Sequence, residues 1–128
     1  MKSCSGAFLC RDGLVLLGLR SKHRASYPGV WDAIGGHAQE GESPQEALVR
    51  ELSEEIGVTP TEFMELATLS EPTLETARTH HIFLVTGWTG SGPVARGDEH
   101  SEIRWFTIQE AVELNLAHPD YAKLLKQL

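Results

Sequence analysis

Positive charge is scarce in this chain: 11 lysines and arginines stand against 18 acidic residues, a formal net charge of −7. That balance argues against a nucleic-acid partner held through counterion release from its phosphates. It leaves a phosphate ligand open, because a divalent cation can invert the local sign of an acidic site. Cysteine is scarcer still. Cys4 and Cys10 lie in one short apolar segment and form no Cys-x-x-Cys or Cys/His spacing suited to zinc, so they read as two buried free thiols of a reducing compartment. No hydrophobic run approaches the ~20 residues that a membrane span requires. The stretch from Gly6 to Cys10 is too short for a signal peptide and is broken by Arg11-Asp12-Gly13. The expectation is a cytoplasmic protein with no membrane partner.

What is present is ordinary globular composition, 41% apolar and 23% charged over 128 residues. This is enough for one domain with a continuous core, residues 1–128, without internal repeats or low-complexity tracts. Phe8 to Cys10 and Leu14 to Leu19 are apolar runs around Asp12-Gly13 and predict an antiparallel hairpin. Residues 21 to 42 read as a long loop with a short strand around Trp31 to Ile34, and a loop of that length in a compact domain is usually functional. Phe63 to Leu69, Ile82 to Trp88 and Ile103 to Phe106 read as strands, with a turn-rich segment from Gly87 to Gly97. Thr107-Ile108-Gln109-Glu110 is a capping box that opens a helix carrying Ala111, Val112 and Leu114. A last short helix follows His118-Pro119-Asp120. The order of elements predicts an α/β fold in which helices cover both faces of a mixed sheet.

The best-signposted helix starts at Ser43-Pro44-Gln45-Glu46, with Ser43 at the N-cap, proline at N1 and Glu46 at N3. Ala47, Leu48, Leu52 and Ile56 recur at helical spacing, and Gly57 stops the helix. Glu51, Glu54 and Glu55 occupy positions i, i+3 and i+4, within an arc of about 100°. Like charges so placed destabilise a helix by a few tenths of a kcal/mol per pair, and carboxylates near its C-terminus oppose the dipole. Most glutamate-rich helix faces are simply solvated. Beside a glycine-rich loop, however, such a cluster suits a hard cation, magnesium or alternatively manganese, rather than zinc.

The segment from Gly36 to Val58 resembles the Nudix box at each of its nine defined positions: Gly36, Glu42, Arg50, Glu51, Leu52, Glu54, Glu55, Gly57 and Val58. Gly29-Val30-Trp31-Asp32 before the box and Glu102-Ile103-Arg104-Trp105-Phe106 near the end are also family-like. Ile34 departs from the proline that many members carry. The resemblance implies the Nudix fold, an α/β/α sandwich with the box folded as loop, helix, loop. It implies that Glu51, Glu54, Glu55 and the Gly36 carbonyl bind Mg2+ or Mn2+, with Glu99, preferred over Asp98 and Glu102, as a further acidic ligand. Glu42 and Arg50 would pair to hold the loop against the helix, so Arg50 is read as structural, as is Gly57. The general base is Glu54 or Glu51, with Glu99 remaining a candidate.

The implied reaction is attack of water on a phosphorus of a nucleotide-like small molecule. The compact length favours the MutT-like group of nucleoside triphosphate pyrophosphohydrolases, including those acting on oxidised nucleotides, which release a monophosphate and pyrophosphate. An ADP-ribose or nucleotide-sugar pyrophosphatase is the alternative enzyme; Pro72 lies close to where the former carry a proline. A non-catalytic nucleotide-sensing module is the alternative of another class, although such modules usually lose a box glutamate. For the substrate, Arg20, in a basic cluster with Lys22, His23 and Arg24, is a candidate phosphate or base contact. Trp31 is a candidate stacking platform, against its reading as a core residue. His81 is a candidate base contact, since alternation along a strand sends His80 and His81 to opposite faces. Trp88 and Trp105 read as packing residues. The chain is expected as a monomer or homodimer.

Overall fold

The structure, a computed structural model, describes residues 3–21, 29–70, 78–97 and 100–128. Among these, ten elements follow one another. They are β1 (Ser3–Arg11), β2 (Leu14–Arg20), β3 (Trp31–Asp32), β4 (Ile34–His37), α1 (Pro44–Ile56), β5 (Val58–Ser70), β6 (Thr79–Gly90), β7 (His100–Thr107), α2 (Ile108–Ala111) and α3 (Tyr121–Leu125). The Asp12-Gly13 turn joins β1 to β2 in antiparallel register, with Arg11 opposite Leu14, and both turn residues take positive φ. β1 is the hub: it pairs antiparallel with β2 and β4 and parallel with β6. β7 and β3 extend the sheet from β2, and β5 closes the other edge against β6.

Two-residue periodicity then sorts the core. Ala7, Leu9, Leu16, Phe83 and Val85 project to one face and meet Leu48, Leu52 and Ile56 of α1. Phe8, Val15, Leu17 and Ile82 project to the other and meet Ala111, Tyr121, Leu124 and Leu125 of the C-terminal helices. The result is the expected mixed sheet between helical layers. Central strands apolar on both faces are what a sheet covered on both sides demands.

The capping box of α1 forms as the sequence indicates, Ser43 Oγ accepting from the Glu46 amide and Glu46 accepting from the Ser43 amide. Gly57 ends the helix in the left-handed region, φ 72°, its amide donating to the Leu52 and Ser53 carbonyls.

Several elements differ from their sequence reading, among them the strand expected around Trp31 to Ile34, which is two strands, β3 and β4. β5 starts at Val58, well before Phe63, because an edge strand tolerates Pro60 and the polar run around it. β6 runs to Gly90, through glycines that read as a turn, because β5 pairs with it as far as Val58↔Gly90. α2 is a single turn ending at Ala111 rather than a helix reaching Leu114. Neither cysteine forms a disulfide, and both are half-buried, not fully buried as expected, because they sit toward the ends of β1. Burial nevertheless pushes the Cys10 thiol up to about 11.

Candidate active site

The loop between β4 and α1 is anchored by one side chain. Arg50 donates from Nε and Nη2 to the two oxygens of Glu42, at 2.8 and 3.0 Å, and from Nη2 to the His37 carbonyl at 2.9 Å. Glu42 in turn accepts the Gln39 amide at 2.8 Å. A planar guanidinium can make such a fork where an ammonium could not. The hydrogen bond from Arg50, and next that from the Gln39 amide, hold the Glu42 carboxyl at about 2, well below the usual carboxylate range. Glu42 and its carboxylate partners reciprocally hold the guanidinium in its charged form.

The third arm of Arg50, Nη1, donates to Glu51 at 3.0 Å and to Glu54 at 3.1 Å. Glu51 is 8% exposed and Glu55 9%, whereas the Glu54 side chain is 55% exposed. Each buried carboxylate lies against a glycine. A Cβ on Gly36 would come within 2.6–2.9 Å of the Glu51 carboxylate, and one on Gly97 would overlap the carboxylate of Glu55. Glu55 also holds the following loop through its backbone, its carbonyl accepting the Arg96 amide at 2.7 Å. Three carboxylates (Glu42, Glu51, Glu54) thus pair with one guanidinium, and Glu51 and the neighbouring Glu55 are largely withdrawn from water. Buried carboxylates in such excess call for a further positive charge.

The donor set fits a hard divalent ion: carboxylate oxygens of Glu51, Glu54 and Glu55 and the backbone carbonyl of Gly36. Among the described residues, no three acidic, histidine or cysteine side chains converge closely enough to form a ready metal cage. Arg50 draws Glu51 and Glu54 to itself, and Glu55 turns to Gly97. Glu99, the further acidic residue expected from sequence, and Asp98 lie outside the described residues, as do Lys22, His23, Arg24 and Pro72. Gly36→Ala is expected to lower turnover by on the order of 10–100-fold, because the methyl must displace the Glu51 carboxylate and misplacement of about 1 Å is costly. Turnover equal to the parent, by steady-state kinetics, would deny Glu51 a part in the chemistry.

On the other side of Gly36 lies a small cleft of about 50 Å³, lined in part by Asp32, Gly35, Gly36, His80 and Tyr121. Asp32 accepts from Tyr121 Oη at 2.8 Å and pairs with Arg20 Nη1 at 3.1 Å. Burial, and then the Asp32 charge, raise the Tyr121 phenol well above its ordinary value, so it stays a donor.

The three residues expected from sequence to touch a substrate have partners within the fold. Arg20 borders the cleft only through Asp32. Trp31 packs edge-on to Phe106, centroids 4.9 Å apart, with Arg104 beside it, as a core residue does. His81 bonds to Glu65 at 3.0 Å; burial opposes ionisation of that glutamate, but hydrogen bonds from His81 and Thr68 hold it below its usual range. It is His80 that reaches the cleft. The strand parity was readable, but not which face of β6 would meet the cleft. Asp32 and Tyr121, 89 positions apart, carried no pairing signal at all. Trp88 and Trp105 stack on each other and pack against the α1-side core.

Comparison with known proteins agrees with this geometry. The NUDIX-domain family model matches residues 3–128. The chain is similar to a CTP pyrophosphohydrolase of Escherichia coli, 31% identical over 114 residues that cover 89% of this chain and 82% of that protein. It is similar to an 8-oxo-dGTP diphosphatase of Proteus vulgaris, 40% identical over 60 residues, 47% of this chain and 54% of the relative. Among solved structures, a MutT NUDIX hydrolase from Burkholderia pseudomallei matches with a TM-score of 0.79 at 25% identity, covering 99% of this chain and 97% of that one.

Proposed function

The chain belongs to the NUDIX family, and from that premise we propose that it is a divalent-cation-dependent pyrophosphohydrolase that converts a nucleoside triphosphate, with an intact or oxidised base, to a monophosphate and pyrophosphate. The observation that carries the proposal is the box itself: every glutamate is present, and Glu51 and Glu55 are buried on the same helix. The names of the two curated relatives support the triphosphate class.

In this reading Glu51, Glu54, Glu55 and the Gly36 carbonyl hold Mg2+, or Mn2+, with Glu99 as a further ligand. When bound, the ion neutralises phosphate oxygens and lowers the pKa of a water. The protein's own residues do the rest. The Glu42–Arg50 fork fixes the loop that carries Gly36 to the helix that carries the glutamates. Water attacks phosphorus, the bond from that phosphorus to the bridging oxygen breaks, and the water's proton passes to Glu54 or Glu51. Glu54 is the stronger candidate for this base, its side chain being more than half exposed to the water it would deprotonate.

A product-release assay with nucleoside triphosphates, oxidised triphosphates, dinucleotides and ADP-ribose, run with magnesium and again with EDTA, tests the proposal. Turnover of triphosphates that EDTA abolishes is the expected result. Preferential turnover of ADP-ribose would overturn the substrate class, and turnover unaffected by EDTA would overturn the metal dependence.

A further inference from the structure

Two buried side-chain polar atoms among the described residues have no hydrogen-bond partner, and one of them, His100 Nδ1, lies beside the carboxylate helix. The His100 side chain is 5% exposed, and its Nδ1 stands 3.9 Å from Glu55 Oε2, whose side chain is 10% exposed. That separation is too long for a hydrogen bond, yet a shift of about 1 Å would close it.

The approach is built into the sheet. Glu102 of β7 pairs with Leu19 of β2 and His100 with Arg20, so Ser101 is an extra residue with no opposite number. Ile103 and Trp105 pack toward α1. Strict alternation would therefore send His100 to the opposite face; the bulge reverses the phase and brings it to the side of Glu55. Gly18 completes the arrangement, because a Cβ there would lie 2.8 Å from His100 Cγ and 2.9 Å from Nε2, so β2 leaves room for the ring where any other residue would fill it. On its far side the same Glu55 carboxylate abuts Gly97. A bulge, a missing side chain and a buried donor without a partner converge on one oxygen.

We propose that His100 is a positioning residue for Glu55, which donates its Nδ1–H to Glu55 Oε2 in the cation-bound protein and so leaves the other carboxylate oxygen for the ion. This rests on the metal-dependent reading of the box. Hydrogen bonds of this kind orient ligating carboxylates, and their loss typically costs 10–100-fold in metal affinity.

Two variants and one spectrum test it. His100→Phe keeps a ring of similar size over Gly18 but has no donor, and its Mn2+ affinity, titrated calorimetrically with Mn2+ alone, is expected to fall at least about tenfold. His100→Asn restores an N–H near the place of Nδ1 and is expected to recover affinity to within a few-fold of the parent. Equal affinity in His100→Phe and the parent would overturn the proposal. So would an equal loss in both variants, which would mean a packing role only. Independently of any activity, long-range 15N–1H spectra of the imidazole in Mg2+ are expected to show the Nδ1–H tautomer, with a shift in Glu55→Gln. An unprotonated Nδ1 would overturn the assignment even in an active enzyme. An Nδ1–H that responds to Glu55→Gln in a protein that hydrolyses no nucleotide would sustain the pairing while sinking the hydrolase reading.

Discussion

Glu54→Gln is expected to lower kcat for nucleotide hydrolysis by at least about 100-fold, the scale of losing a general base, and to leave the thermal midpoint close to that of the parent. The two halves of this expectation have separate causes. Glu54 is more than half exposed, and it pairs with Arg50, at i,i+4 on the helix surface. Exposed pairs of that kind contribute little to stability, and neutralising one carboxylate relieves repulsion from its acidic neighbours. The amide is almost isosteric but can neither accept a proton nor offer a second anionic oxygen to a cation. Glu51 and Glu55 do not allow so clean a separation, because both are buried and their replacement disturbs the packing against Gly36 and Gly97. Steady-state kinetics beside thermal unfolding decides the matter: near-parental turnover in Glu54→Gln would remove it from the chemistry.

Arg50→Ala is expected to lose stability and activity together. The side chain makes five hydrogen bonds, to Glu42 twice, Glu51, Glu54 and the His37 carbonyl, at 2.8–3.1 Å. Hydrogen bonds to charged groups are worth about 1.5–3 kcal/mol each where they are well shielded. Arg50 is 23% exposed and its partners would regain water, so a net loss of about 2 kcal/mol, several degrees in melting temperature, is the expectation for the whole fork. Turnover should fall because the loop carrying Gly36 is then no longer tied to α1. Lysine should not restore it, since an ammonium keeps the charge but cannot grip both oxygens of Glu42. An Arg50→Ala protein that melts like the parent yet loses turnover would instead make Arg50 a substrate ligand.

The same pair gives a pH dependence with a definite sign. The Glu42 carboxyl is held at about 2 in the folded protein against an ordinary value near 4.5. The unfolded chain therefore binds the extra proton first, and stability rises with pH across that window. The contribution is complete above about 4.5 and is lost as the pH falls toward 2. Arg50→Ala should flatten this part of the stability profile, and NMR titration of the Glu42 carboxyl should move up toward its ordinary value. A carboxyl still titrating near 2 in the variant would mean that Arg50 is not the cause.

Much of this molecule was legible without coordinates because the signals involved are local. The turn at Asp12-Gly13, the capping box at Ser43 and the stop at Gly57 each depend on residues within one turn of chain. Glu51, Glu54 and Glu55 share a helix face by periodicity alone. The pairing of Arg50 with Glu42 came only through the resemblance of the box. The order of elements along the chain likewise pointed to a mixed sheet covered on both sides. Other features depended on which strand lies beside which, and no window of sequence carries that. The strand from Val58 was hidden by Pro60 because only an edge position tolerates it, and the chain does not say which strand is the edge. Trp31 turned inward onto Phe106 because β3 docks beside β2, and that docking also put Asp32 within reach of Tyr121. His80 rather than His81 reached the cleft because the parallel pairing of β1 with β6 sets which face is which. His100 came to Glu55 through one unpaired residue in β7, a shift that reverses every side chain beyond it. The sequence by itself determined the local geometry and the chemical type of the site, since both follow from backbone periodicity and side-chain identity over short spans. Only the tertiary structure decided which distant groups meet there, because register between strands is settled by the packing of the whole sheet.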